Sequence, residues 1–328
     1  MRAEYSAGRE VPAQGSVFAY GAAAGLLADR LFGDPRRGHP VAAFGRAAGA
    51  VERVLWRDHR GWGALHAVVC AGGTAGAAAL VARGVRGRTA ASVALTAAVT
   101  WTVLGGTSLG REARAVGGAL AAGDVEVARE RLPHLCGRDP GALDEGQIAR
   151  AVVESVAENT SDAVVGALVW GALGGVPGLV AFRAVNTLDA MVGHRSPRLL
   201  RFGWASARLD DVAGWPGARL TAVLAAVAGG APARALDAVR RDAGRHPSPN
   251  AGPVEAAFAG ALGVRLGGTL AYGGRVEHRP VLNGGGRPVE VADIERAVRL
   301  SRRVGVLALG VCVGGRLLAG HLLGRRGR

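Results

Sequence analysis

The stretch ESVAENTSD, residues 154–162, places Glu154, Glu158 and Asp162 at i, i+4 and i+8. On a helix these share one face, where like charges repel by ~0.2–0.5 kcal/mol per pair. Twenty uncharged, mostly apolar residues follow, 163–182. Such a stripe is either a solvated helix face or a site for a cation. Hard oxygen donors in this number suit Mg²⁺; otherwise one carboxyl stays protonated. A second polar string, residues 182–220, sets Asn186 and Asp189 on one helical face with Arg183 a turn earlier, then Arg208, Asp210, Asp211 and Arg219. Carboxylates, amides and guanidiniums at the ends of apolar segments are costly unless used; the competing reading is a structural ion network. A third, DRLFGDPRRGHPV at 29–41, crowds Asp29, Asp34 and His39 around two prolines that hold their predecessors extended. The fourth, residues 246–268, opens on the turn Ser248-Pro249-Asn250 and runs into a small-residue helix carrying Glu255. No string is diagnostic by spacing, and no phosphate loop, nucleophile elbow, zinc helix or dinucleotide fingerprint is present.

The elements holding these strings must suit an apolar solvent. Of 328 residues, 49% are hydrophobic and 53 are Gly, and the mean hydropathy is +0.20. Small residues in apolar runs fit close helix contact in lipid. All 40 basic residues are Arg, and the formal net charge is +14. The absence of Lys excludes a P-loop lysine and a Schiff base. Anions must be held by guanidinium forks. The Arg residues lie between apolar runs, with no basic helix interleaved with aromatics, so membrane flanks explain the charge better than nucleic acid. Cys70, Cys136 and Cys312 match no metal spacing, and the start does not read as a secretory signal.

Residues 61–82 and 89–110 are each long enough to cross a ~30 Å hydrocarbon core, joined by a link bearing Arg83, Arg86 and Arg88. Residues 11–28 and 163–182 are further candidates; 220–233 and 304–323 read as tilted spans, interfacial helices or buried helices. The expected class is all-α: a polytopic integral membrane protein with about 4–6 transmembrane or re-entrant helices and helical soluble loops. It forms one membrane-embedded domain over 1–328, with polar helical regions at 111–162 and 234–300 and a basic tail at 324–328. Asp144 and Gln147 read as a capping box. The Arg-rich link and the Arg-rich segment 33–60 must face opposite sides if 61–82 spans, so charge asymmetry assigns no orientation.

Taken together, GDPRRGHPV, ESVAENTSD, FRAVNTLDAMVG, FGWASARLDDVAGWPGARL and SPNAGPVEAAFAGALGVRLGG resemble, in order, the CobD/CbiB family of adenosylcobinamide-phosphate synthases, covering most of residues 25–285. The resemblance implies a multi-pass enzyme of the cell (inner) membrane that uses ATP and Mg²⁺. Its corrinoid substrate is adenosylcobyric acid, whose propionate is joined to aminopropanol or its phosphate as an amide. The chain departs from the pattern at Ala163 (Gly expected), at Gly166-Ala167 (a Pro expected), at Phe182 (Tyr expected) and at Gly214 (Asn expected).

A carboxylate is a poor electrophile, so amide formation needs an activated acyl group, metal-bridged phosphates, cations and a base for the ammonium. On this reading Glu154, Glu158, Asp162 and Asp189 hold Mg²⁺ and position or deprotonate the amine. Arg183, Arg208 and Arg219 grip phosphates, and Asn159, Asn186 and Asn250 orient them. Asp210 and Asp211 are a second metal or amine site, and His39 a phosphate contact or base. Rival classes are a transporter or permease and a regulator like the ampicillin-resistance protein AmpE. One site can use both strings only if the run GALGGVPG within 163–182 breaks a straight helix. The segment is therefore expected to be broken or re-entrant, or its polar ends to meet within a cavity.

Overall fold

The computed structural model describes residues 14–35, 38–137, 140–141, 143–272 and 275–326. Arg36, Arg37, the first 13 residues and the last two of the tail lie outside them. The chain folds as an all-α polytopic membrane protein. Among the described residues, four segments are long and apolar enough to cross a membrane: Arg60–Gly84, Thr89–Ala121, Glu145–Val192 and Ala292–Leu322. Most of the run at 304–323 thus lies in the last of these segments. The described part of the run at 11–28 lies in α1 (Gln14–Phe32), which carries Asp29 and Arg30 near its end and is not among the four.

Helix α2 (Pro40–Leu55) follows the first charged loop. Helices α3 (Arg60–Ala67) and α4 (Gly73–Gly84) are joined by one π-helical turn. The Arg link then leads to α5 (Thr89–Val103) and α6 (Gly106–Ala121). Helix α7 (Val125–Arg131) precedes α8 (Glu145–Thr160). The expected capping box starts α8: the Gln147 N–H donates to Asp144 Oδ1 at 2.8 Å, and the Asp144 N–H donates to Gln147 Oε1 at 2.9 Å. A cap of this kind stabilises a helix by about 1 kcal/mol.

A π-helical turn, Ser161–Val165, joins α8 to α9 (Gly166–Val192). Helix α9 is two limbs. Gly175 has φ 65° and ψ −146°, a conformation open essentially only to Gly, and the chain reverses there. The Phe182 ring and the Leu179 side chain lie where a Cβ on Gly166 or Gly171 would stand, and Gly178 meets the Trp170 carbonyl. In a straight helix Gly166 and Phe182 would be ~24 Å apart. The segment is therefore a re-entrant hairpin that returns its charged ends to one side. Carbonyls at its tip are not left bare in lipid, where each would cost several kcal/mol: the Arg316 guanidinium donates to Gly171 O and Ala172 O. More than half of the apolar window of this segment, 56%, is buried within the protein, against 22% for each of the other three. The hairpin is the centre of the bundle.

Helix α10 (Trp204–Ala228) packs along both limbs and takes in the apolar run at 220–233 only in part. Helices α11 (Pro232–Asp242) and α12 (Ala251–Leu262) follow. Residues 234–300, expected as helices and loops, also contain an antiparallel pair, β1 (Leu266–Tyr272) with β2 (Arg275–Leu282). Glycines and charged residues in LGGTLAYGGRVEHRPVL hide its alternation. Helix α13 (Ala292–Arg326) closes the bundle against α1, α6, α8, α9 and α10.

The Arg link borders the hairpin tip, while the start of α2 borders Arg183 at the opposite end. The two Arg-rich loops therefore lie at opposite ends, as a spanning 61–82 requires. In a Cys136→Ser background, single cysteines at exposed positions 158 and 190 should both react with an impermeant maleimide from one face. A cysteine at Gly87 should react only from the other. Labelling of 158 and 190 from opposite faces would exclude the hairpin.

Candidate functional site

The reversal at Gly175 brings the ends of α8 and α9 together, and α10 adds a third wall. Asp162, half-buried in the π turn, lies within electrostatic reach of three carboxylates, Glu158, Asp210 and Asp189, against one guanidinium, Arg183. Arg183 also faces Asp34 from the first charged loop. Its Nη1 donates to Asn186 Oδ1 at 3.4 Å, and Asn186 Nδ2 donates to Asp210 Oδ1 at 3.4 Å. Arg183 Nε and Asp34 Oδ1 are buried without hydrogen-bond partners. Asp34, which the sequence placed in the charged loop without a role, faces the site; its signal was the rigid Gly33-Asp34-Pro35 turn.

Burial pushes the Asp210 carboxyl up from 3.8 to about 7, helped by the nearby Asp189 charge. Asp211, one residue on, is part-buried within reach of Asp189 and Asp210 and accepts from Arg208 Nη1 at 3.1 Å. Glu158 is exposed at the mouth. An apolar cavity of about 340 Å³, lined by Phe44, Val99, Val103, Val180 and Thr187, opens against Arg183.

The other expected residues do different work. Glu154 is not part of the mouth. Its Oε1 accepts from the Gly267 N–H at 2.7 Å and lies 3.9 Å from Arg150 Nε. Gly267 and Gly268 have φ of 78° and 88° and break the ladder beside Leu266, which frees that N–H for Glu154. Beyond it His246 Nε2 lies 3.8 Å from Glu255 Oε1, both side chains 4% exposed, with Arg279 also in reach of the imidazole. Burial lowers the His246 pKa. The stripe therefore divides between two clusters, Glu158 with Asp162 at the mouth and Glu154 behind it. Spacing cannot reveal this division, because one helix face can touch two different neighbours.

Asn159 Nδ2 donates to Ser155 O at 2.9 Å and to Ser155 Oγ at 3.2 Å, within its own helix. His39 Nδ1 accepts the Val41 N–H at 3.2 Å and caps α2. Arg219 Nη1 donates to Pro249 O at 2.8 Å and Asn250 Oδ1 at 3.2 Å, above the Trp215 ring. Asn250 Nδ2 donates to Asp211 O at 2.9 Å. These last two residues clamp the fourth string onto α10. A Cβ at 214 would stand 2.6 Å from Asn250 Nδ2, so Gly214 makes room for that amide. Phe182, 2% exposed, packs on Gly166, and its ring does this without a hydroxyl.

Among the described residues no three His, Cys, Asp or Glu side chains are grouped so as to hold a metal ion by themselves. Mg²⁺ commonly takes one or two carboxylates and completes its shell with water and substrate phosphates. A mouth with three carboxylates around Asp162, one guanidinium and an orphaned Arg183 Nε fits that pattern.

Fold and site define a membrane-embedded, carboxylate-rich centre built on a re-entrant hairpin. The chain matches the family described as CobD/Cbib protein over residues 22–301, and it belongs to that family, which acts in cobalamin biosynthesis. It is 55% identical over 290 residues to cobalamin biosynthesis protein CobD of Mycobacterium tuberculosis, covering 87% of this chain and 92% of the relative. The protein of the same name from Chromobacterium violaceum is 44% identical over 288 residues, covering 85% and 90%. That from Sinorhizobium fredii is 40% identical over 299 residues, with the same coverage. No solved structure matches this chain.

Proposed function

We propose that this chain is an adenosylcobinamide-phosphate synthase of the cell membrane, joining aminopropanol phosphate, or aminopropanol, to a propionate of adenosylcobyric acid with ATP. Family membership supports the pathway. The observation that carries the reaction is the excess of carboxylate over guanidinium around Asp162: such a mouth attracts an ammonium group and a metal-bound phosphate.

One or two of Asp162, Asp189 and Glu158 would hold Mg²⁺, which would offset phosphate charge when bound. Arg183, whose Nε is buried without a protein partner and whose Nη1 donates to Asn186, would offer its guanidinium to a phosphate. Arg208 flanks the mouth at its exposed edge. An amine attacks only as the free base, so the ammonium must lose a proton. Asp210, titrating near 7, is matched to that task because a base works best with a pKa near the working pH. Asn186, between Arg183 and Asp210, keeps phosphate grip and base in register. Glu154 anchors the β1 bulge behind the mouth and so acts by positioning.

Membranes carrying the protein should form the amide from adenosylcobyric acid, ATP and the amino alcohol or its phosphate. A deletion strain should grow with cobinamide and not with cobyric acid. Glu158→Gln and Asp189→Asn keep shape and remove charge; each should slow amide formation ~10²-fold or more at normal membrane levels. Wild-type rates from both variants, or rescue by cobyric acid, would reject the proposal.

A further inference from the structure

At the far end of the hairpin from the carboxylate mouth lies a cavity of about 430 Å³. Its walls are the tip residues Gly174–Pro177, Val17 and Phe18 of α1, and the start of α5. Its cations are Arg83 and Arg86 of the link and Arg316 of α13. None of its described lining residues is acidic. Arg316 spends one nitrogen on the tip carbonyls and stacks over Phe18 at 5.4 Å, yet its Nε is buried without a partner.

Three guanidiniums with no carboxylate among the described lining residues, facing one apolar-walled space, match a molecule with an anionic head and a hydrocarbon body. Depth selects the source. The link joins the spans Arg60–Gly84 and Thr89–Ala121 directly, so it must sit at the water–lipid boundary, where phosphodiester headgroups are. Basic pockets between spans hold acidic lipids in this way. We propose that the cavity is a binding site for one acidic phospholipid, whose phosphate is held by Arg83, Arg86 and Arg316 and whose chains lie along α1 and the hairpin tip. The bound lipid would wedge the tip in place and so hold the limbs that carry Asp162 and Arg183 at the opposite end. The inference stands on the cavity and is independent of the reaction.

The test uses the full-length protein, stripped of lipid in neutral detergent and titrated with phosphatidylglycerol, phosphatidylcholine or inorganic phosphate, with binding read by native mass spectrometry. Phosphatidylglycerol should bind at one site per chain and raise the melting temperature. Phosphatidylcholine should not, and millimolar inorganic phosphate should not displace the bound lipid. Arg83→Gln with Arg86→Gln should weaken phosphatidylglycerol ~30-fold. Equal retention of phosphatidylcholine would mark a merely apolar crevice, and displacement by phosphate would mark a soluble-anion site. Either result, or unchanged affinity in the double variant, overturns the proposal. The comparisons on the unaltered protein decide the matter even if the variant folds poorly.

Discussion

Asp210→Asn should abolish most amide formation, lowering the rate ~10²–10⁴-fold, the usual loss when a general base is removed, while the protein becomes more stable at pH 8. Both effects come from the same environment. Burial between α9 and α10, with Asp189 close by, lifts the folded-state pKa from 3.8 to about 7. The fold therefore favours the neutral acid. As pH rises from about 4 through 7 the unfolded chain ionises freely while the folded chain resists, so stability falls across that window. Asn is neutral at every pH and avoids the penalty. Its gain, at most on the order of 4 kcal/mol for a three-unit shift, should be complete above pH 7 and vanish below pH 4. The wild-type rate should rise with pH through about 7, as a base must be ionised to accept a proton. Thermal unfolding in detergent at pH 4 and pH 8, beside the pH–rate profile of the amide assay, checks all of this. A destabilised, fully active Asp210→Asn would refute it. The sacrifice of stability for a poised carboxylate is the usual trade at a functional site.

Gly178→Val should be the most damaging substitution remote from the charged groups. The Gly178 Cα faces the Trp170 carbonyl across the hairpin, so a side chain would meet backbone, which cannot rotate away. Overpacking in a tight core costs ~1–3 kcal/mol, and a backbone contact sets the upper end. Gly175→Val adds the ~1–3 kcal/mol of a forbidden backbone region. Either variant should reach membranes at several-fold lower levels. The molecules that do fold should lose activity too, because splayed limbs separate Asp162 from Arg183. Gly174→Ala is the control: it is one residue from the reversal, and nothing lies within 4 Å of its Cβ position, so it should be near neutral. Quantitative immunoblotting of membranes with activity per molecule distinguishes the cases. Normal level and activity in Gly178→Val would mean the limbs do not touch.

Much of the architecture was legible in residue order. Hydropathy found the spans at 61–82 and 89–110 because solvation in lipid is a property of local composition. Asp144 and Gln147 announced α8 because a cap is satisfied within four residues. GALGGVPG foretold a break because Gly and Pro act on their own dihedrals. The β1–β2 pair was not legible, since a bulged, Gly-rich ribbon has little alternation and is fixed by contact with Glu154.

At the candidate site the sequence determined which chemistry was on offer: carboxylates, guanidiniums and amides, with no lysine. Only the tertiary structure decided how they group. The hairpin carried Arg183 and Asn186 back to Asp162, where a continuous helix would have left them ~30 Å away. It recruited Asp34 from a loop more than 120 positions distant. It sent Glu154 to a different neighbour from Glu158, and it gave Arg219 and Asn250 to packing. The cause is that charge and shape belong to single residues and short segments, whereas proximity depends on where the chain reverses. Here one glycine backbone at position 175 sets that reversal.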